Sequence, residues 1–403
     1  MTDIVMLDRS FSRDPHAVLH QLQGQAPVCR ALIWGDVPVW MVTCYDDAKS
    51  VLTDPRLSTD RAIALKVLPP NNNGRYGSKL SQHLLHSGPP DHTRLRKLVV
   101  KAFTAGAVAR LTPRIEEIAD ELLDAIDTSA PVDLIKEYAG PLPGRVIGEL
   151  LGVPVEFRDQ FLTLLDPYLN QSTGPEMVAA SAGLITMLTE LFAEKRRQPC
   201  DDLISALIET SNDGDRLSET ELLATAYLLV AAGYDTTVNL IGNGVAALLR
   251  NPSQLAALRA DISLLPGAVE ELLRIDPPAN ITVFRFSTAP IRIGEVDIPE
   301  NQIVVISLLA ANHDPDRFQD PDRLDISRTP ANHLAFGHGI HHCLGAPLAR
   351  LEGRIALARL LARFTRLELA TTEPLEYRHS LMMRGLSALP VWCQRGSSVP
   401  AAD

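Results

Sequence analysis

The feature that most constrains this chain is a ten-residue run, Phe336-Gly337-His338-Gly339-Ile340-His341-His342-Cys343-Leu344-Gly345, leading into an apolar, arginine-studded segment. The glycines at 337, 339 and 345 give the backbone freedom on both sides of the sulfur. Apolar residues at 344, 348, 351, 355, 358 and 361 have the period of a helix from Leu344 to Leu361. A thiolate at that junction meets loop N–H donors and a positive helix end, and both favour the anion. Such a setting holds sulfur on a metal. A buried cysteine in a glycine-rich turn is the plainer alternative. Zinc fits poorly, because His338, His341, His342 and Cys343 crowd too closely for the spacing of a zinc site.

The run resembles the haem-binding loop of the cytochrome P-450 haem-thiolate monooxygenases, Phe-Gly-x-Gly-x-His-x-Cys-x-Gly, and matches it at every fixed position from Phe336 to Gly345. The resemblance implies haem b (iron protoporphyrin IX) as cofactor, with Phe336 in its binding loop and Cys343 as the axial ligand. The electron-rich sulfur then favours O–O cleavage. It covers residues 35 to 393 and implies a mainly α fold with small β-sheets. Haem would lie between a long kinked distal helix and the cysteine-bearing proximal loop and helix.

Length and composition agree. No Gly/Ser linker, repeat or charge block divides the 403 residues, so a single catalytic domain over 1–403 without a fused reductase is expected. The opening MTDIVMLDRSFSRD has early acids and no apolar core, unlike a signal peptide or membrane anchor. The apolar stretch near 222–233 is too short to span a bilayer. Five scattered cysteines argue against a disulfide framework. A cytoplasmic protein without membrane attachment is expected, and a net charge of −11 argues against nucleic-acid binding. Helical periodicity covers 46–53, 92–103, 114–126, 143–151, 157–169, 176–195, 201–209, 218–249, 253–260, 266–274 and 346–363. Strand patterns fall at 39–43 and within 291–306.

The 218–249 helix is the second informative element. Ser218 and Glu221 make a capping box at its start. Within it, Ala231-Ala232-Gly233-Tyr234-Asp235-Thr236-Thr237 sets a glycine and two threonines in an Ala/Leu helix. Helical spacing puts Gly233 on a face of small residues that something flat could approach; helix–helix packing is the alternative use of such a face. A threonine hydroxyl that bonds the carbonyl one turn back loosens a helix. The segment looks like the oxygen-binding kink of the same family, with Asp235 and Thr236 as its acid–alcohol pair and Gly233 beside the cofactor. Activating dioxygen takes two protons on its outer oxygen. The resemblance gives Thr236 the placing of a water and Asp235 the relay from solvent. Peroxide-using relatives generally lack the pair, which favours the dioxygen route.

Glu271-Leu272-Leu273-Arg274 matches the family's Glu-x-x-Arg motif, with Arg323 of Pro321-Asp322-Arg323-Leu324 as expected third member and Arg317 ranked behind it. Leu324 stands where the family usually has an aromatic. In Asp91 to Lys97, a 100° step sets His92 and Arg96 on one helical face and Arg94, Lys97 and Lys101 on the other. By resemblance, His92, Arg96, Arg285 and His341 bind the haem propionates, arginine forks suiting carboxylates. The opposite face, with Arg350, Arg354, Arg359 and Arg363, is expected to dock an acidic ferredoxin. No flavin or iron–sulfur motif is present, so electrons come from that ferredoxin and its reductase.

The resemblance lines the substrate pocket with Leu65, Leu68, Tyr76, Leu85, Leu169, Met177, Val230, Ile281, Val283, Leu381, Met382 and Met383, under a lid at 69–79. That lining suits an apolar small molecule. The expected function is dioxygen-dependent hydroxylation or epoxidation of a polyketide- or macrolide-like natural product in secondary metabolism. Alternatives are steroid, terpenoid or xenobiotic hydroxylation, and a non-catalytic haem-binding helper of a partner enzyme.

Overall fold

Alternation of apolar residues along one short strand shows how the β part of the molecule is built. In Ile303–Ile306 all four residues are buried, Ile303 and Val305 in one apolar cluster and Val304 and Ile306 in another. Both faces of its sheet are therefore covered. With the strands numbered β1 (Val5–Met6), β2 (Val28–Ile33), β3 (Val37–Val42), β4 (Leu57–Ser58), β5 (Arg285–Ser287) and β6 (Ile303–Ile306), the sheet order is β1-β2-β3-β6-β5-β4. β2 and β3 form an antiparallel hairpin from Val28↔Val42 to Ile33↔Val37, and β6 runs parallel to β3. The sequence periodicity missed β2. Its tip is turned by Trp34 and Gly35, both with positive φ.

These coordinates come from a computed structural model that describes residues 4–8, 11, 13–70, 74–169, 175–209, 211–212, 215–329 and 332–396. The fold is mainly helical with small sheets. Helices that frame the site are α1 (Asp91–Val99), α2 (Pro141–Leu151), α3 (Pro175–Arg197), α4 (Glu219–Arg250), α5 (Leu265–Ile275) and α6 (Ala346–Arg363). They lie close to the expected ranges. Helices at Pro15–Gln25 and Arg61–Val67 were not anticipated, although Asp14 and Asp60 cap them with side-chain oxygens.

α4 is the axis of the larger core. Ser218 accepts the Glu221 N–H, and Glu221 accepts the Ser218 N–H at 2.8 Å, completing the capping box. Most of α4 is apolar on all sides and buried, as a central helix must be. α2, α5 and α6 pack around it. α3 has the length and apolar composition to cross a membrane, which the sequence reading missed. It buries Leu184, Leu188, Leu191 and Phe192 against the core, and a core helix passes the same test of composition.

A buried histidine near the amino-terminal helix yields a pH prediction. Burial, then the neighbouring His16, pushes His313 down from 6.5 to about 3, against a bond to the Leu309 carbonyl. A histidine lowered in the folded state stabilises the fold above its unfolded pKa. That contribution is lost as pH falls from about 6.5 toward 3. His313→Gln should therefore flatten the acid limb of a melting-temperature profile between pH 6.5 and 4, and an unchanged slope would count against it.

Candidate active site

Two of the three glycines around Cys343 are needed for their backbone. Gly337 and Gly339 have φ of 69° and 75°, and a Cβ on Gly339 would lie 2.9 Å from the Leu52 carbonyl. Gly345 has an ordinary φ of −81° and serves as N-cap of α6, which begins at Ala346, at the start of the expected range 346–363. Its Cβ direction meets the Cys343 sulfur at 3.9 Å. The Cys343 N–H donates to the Phe336 carbonyl at 2.9 Å and closes the loop. The cysteine is exposed to solvent, yet the protein packed around it pushes its thiol above the ordinary range. N–H groups of Gly345 and Ala346 aimed at the sulfur, and the charges of Arg96 and Arg350, pull the other way.

Along the largely buried α4, Ala232 is exposed and Thr236 half-exposed, one turn apart. These two mark the open strip. Gly233 does not: its Cβ direction points at Ile147 of α2, 3.6 Å away. A side chain at position 233 would therefore face α2, while the backbone there is half-exposed, as Thr236 is. The loosening expected of the threonines takes the form of two hydroxyl bonds, Thr236 to the Ala232 carbonyl at 2.5 Å and Thr237 to that of Gly233 at 2.9 Å. The helix itself continues unbroken.

Asp235, 100° round the helix from Thr236, turns away from the open strip. It is buried, and its carboxylate accepts from Arg378 at 2.8 Å and from Asn239 at 3.4 Å. Burial raises its pKa, with Arg378 opposing. Arg378 also donates to Asn239, and any side chain at Gly385 would collide with both. No sequence signal pairs Arg378 with Asp235. They are 143 residues apart and meet only in the fold.

His92, Arg96, Arg285 and His341 do converge. The His92 and His341 rings meet edge-on at 4.4 Å. Burial, then the charges of His92, Arg285 and Arg96, pushes His341 down to about 3. Arg96 donates to the His342 carbonyl at 2.9 Å. His341 Nε2 meets the Thr59 hydroxyl at 3.2 Å, and Arg285 reaches the Leu57 carbonyl at 3.4 Å. Both ring nitrogens of His92, Nδ1 of His341 and Nε of Arg285 are buried without a hydrogen-bond partner. Unpaired buried donors are costly. A cluster of them suits an anionic group such as a haem propionate.

The buried ion-pair network has a different third member from the one expected. Glu271 and Arg274 form a bidentate pair at 2.7 and 2.8 Å, and Arg274 also donates to the carbonyls of Asn312, Pro321 and Arg323. The guanidinium that completes it belongs to Arg328, at 3.2 Å from Glu271. Arg323 offers only its carbonyl. Its own side chain is 66% exposed and faces Asp325 at 3.8 Å. Arg317 lies over Tyr45.

The basic face is largely neutralised. Arg94 pairs with Glu221 at the start of α4, Arg350 with Glu270, Arg359 with Glu116 and Asp120, and Arg363 with Asp120 and Asp124. Lys97 and Arg354 are exposed, with no ion pair among the described residues. The side chains of Lys101 and Leu169, and lid residues 71–73, lie outside the described residues. Of the other pocket candidates, Leu68, Tyr76 and Ile281 are buried in one apolar cluster with Leu381 and Met382 against it, and Val230 is buried in the larger core.

The fold and this loop define a haem-thiolate protein. The family model described as Cytochrome P450 matches residues 153–388. Cytochrome P450 107B1 of Saccharopolyspora erythraea is 48% identical over 395 residues, covering 96% of this chain and 97% of that one. Vitamin D(3) 25-hydroxylase of Pseudonocardia autotrophica is 46% identical over 384 residues, covering 95% and 94%. The structure of tirandamycin C-bound P450 monooxygenase TamI superimposes with a TM-score of 0.91 at 44% identity, covering 97% of this chain and all of that one. The chain belongs to the cytochrome P450 family. It is an oxidoreductase of the monooxygenase class, and the cofactor of that family is haem b.

Proposed function

We propose that this monooxygenase inserts one atom of dioxygen into a polyketide- or macrolide-like natural product, by hydroxylation or epoxidation, in a cytoplasmic biosynthetic step. The observation that carries the substrate class is the similarity, over nearly all of the chain, to a P450 monooxygenase solved with tirandamycin C bound and to relatives whose names include a polyketide biosynthesis cytochrome P450 and a 6-deoxyerythronolide B hydroxylase. The apolar residues that the resemblance sets around the pocket, Ile281, Val230 and Met382 among them, suit such a substrate. Bound haem supplies the one-electron and dioxygen chemistry, with thiolate donation favouring O–O cleavage. Cys343 gives the sulfur, and the N–H groups of Gly345 and Ala346 support its anionic form. His92, Arg285 and His341, with their unpaired buried nitrogens, and Arg96 would hold the haem propionates. Electrons arrive from a separate acidic ferredoxin and its reductase.

Thr236 lies on the open strip of α4, where its hydroxyl can hold a water. Asp235 is bonded to Arg378 and Asn239 on the far side. It relays protons after turning from them. Thr236→Ala should keep haem and substrate binding while coupling of NAD(P)H consumption to product falls severalfold. Asp235→Asn should mainly slow turnover, read against its melting temperature because Arg378 loses its carboxylate and keeps only Asn239. Wild-type coupling in Thr236→Ala would remove that role.

A screen for low-to-high-spin conversion across macrolactones, linear polyketides, vitamin D3, steroids and fatty acids tests the substrate. The vitamin D3 arm is included because of the relative of that name. Conversion by steroids or vitamin D3, with none by polyketides, would replace the proposal.

A further inference from the structure

Arg350 stands on α6, seven residues after Cys343, and its side chain is engaged with the loop before the cysteine. The guanidinium lies over the Phe336 ring, 4.4 Å from the centroid. Nε and Nη2 fork onto Glu270 of α5 at 2.7 and 2.9 Å. Glu270 is fixed from its other side. His333 Nδ1 accepts the Ala335 N–H at 3.2 Å, which puts the ring proton on Nε2. That Nε2 donates to Glu270 at 3.1 Å, from a side chain only 3% exposed. Burial opposes ionisation of Glu270, but His333 and Arg350 together hold it down at about 2. His333, Glu270, Arg350 and Phe336 thus form one clamp, and the Phe336 carbonyl at its end takes the Cys343 N–H. The link from Arg350 to the cysteine thus runs through the Phe336 ring and backbone.

We propose that Arg350 is a positioning residue that sets the electron affinity of the metal bound at Cys343, its cation stabilising the added electron and Glu270 tempering that effect. The fixed geometry supports this role. A cation forked onto a carboxylate and laid on an aromatic ring has lost the freedom a surface docking charge needs, while the charge next to a metal ligand is a known lever on potential. The inference rests on Cys343 being the sulfur donor.

The test is an equilibrium reductive titration of the haem-loaded protein with soluble mediators and no ferredoxin. Arg350→Gln should shift the ferric-to-ferrous ratio about tenfold toward ferric, about 59 mV for one electron. Arg350→Lys, which keeps the charge, should recover most of that shift. Glu270→Gln leaves the cation unopposed and should move the ratio the other way. Unchanged ratios in all three variants, with ferredoxin-driven reduction slowed in Arg350→Gln by a factor that shrinks with added salt, would identify a docking residue and overturn the proposal. Shifts of the same sign in Arg350→Gln and Glu270→Gln would overturn it too, by indicating general loosening. Should Arg350→Gln fail to hold haem, the sign of the Glu270→Gln shift decides. A wild-type ferrous–CO spectrum not of the thiolate type would overturn the Cys343 reading itself, and this inference with it.

Discussion

Replacing Cys343 by Ser or His is expected to remove the thiolate-type ferrous–CO spectrum and all measurable turnover together. Neither replacement offers an anionic sulfur. The N–H groups of Gly345 and Ala346 are placed to favour a negative atom, so a neutral imidazole gains nothing from them. The loop should survive the change, because its closing bond, from the Cys343 N–H to the Phe336 carbonyl, belongs to the backbone. Haem content and melting temperature near wild type, with the spectrum gone, is the expected combination. A variant that kept both spectrum and turnover would refute the assignment.

Removing Glu271 should have the largest effect on stability. Glu271→Ala leaves Arg274, only 2% exposed, without its carboxylate, and frees the Arg328 guanidinium and the Asp325 N–H as well. Breaking a buried pair from one side costs about 3–5 kcal/mol. Arg274 bonds to Asn312, whose side chain accepts the Leu334 N–H at 2.6 Å just before the cysteine loop. Haem retention should therefore fall with stability. Arg323→Ala, at an exposed guanidinium, should change stability by less than about 0.5 kcal/mol. Chemical denaturation of both variants checks the network, and comparable losses would restore Arg323 to it.

Local signals carried much of this protein. The capping box at Ser218, the helical period of α4 and α6, and the Phe336–Gly345 pattern each depend on residues within a turn or two of one another. Such relations are fixed by backbone geometry before any tertiary contact forms. Helix 15–25 was legible in the same way from Asp14 and Pro15 and went unread. The convergence of His92, Arg96, Arg285 and His341 is different. It was available only through resemblance, because nothing local joins a helix at 92 to a strand at 285.

What the tertiary structure decided is which side chains meet and which way they face. Arg323 and Arg328 are equally charged and five residues apart. Only the path of the chain past α5 turns Arg328 onto Glu271 and leaves Arg323 in solvent. The basic face looked free because sequence shows charges without their partners, and Glu221, Glu270 and Asp120 arrive from other helices. Neighbouring residues Asp235 and Thr236 are split by the 100° step of a helix, Asp235 buried on Arg378 and Thr236 on the half-exposed strip. The composition of the site was thus determined by the sequence itself. Its pairing and orientation came from long-range packing, because the energy of a buried charge depends on a partner that only the fold supplies.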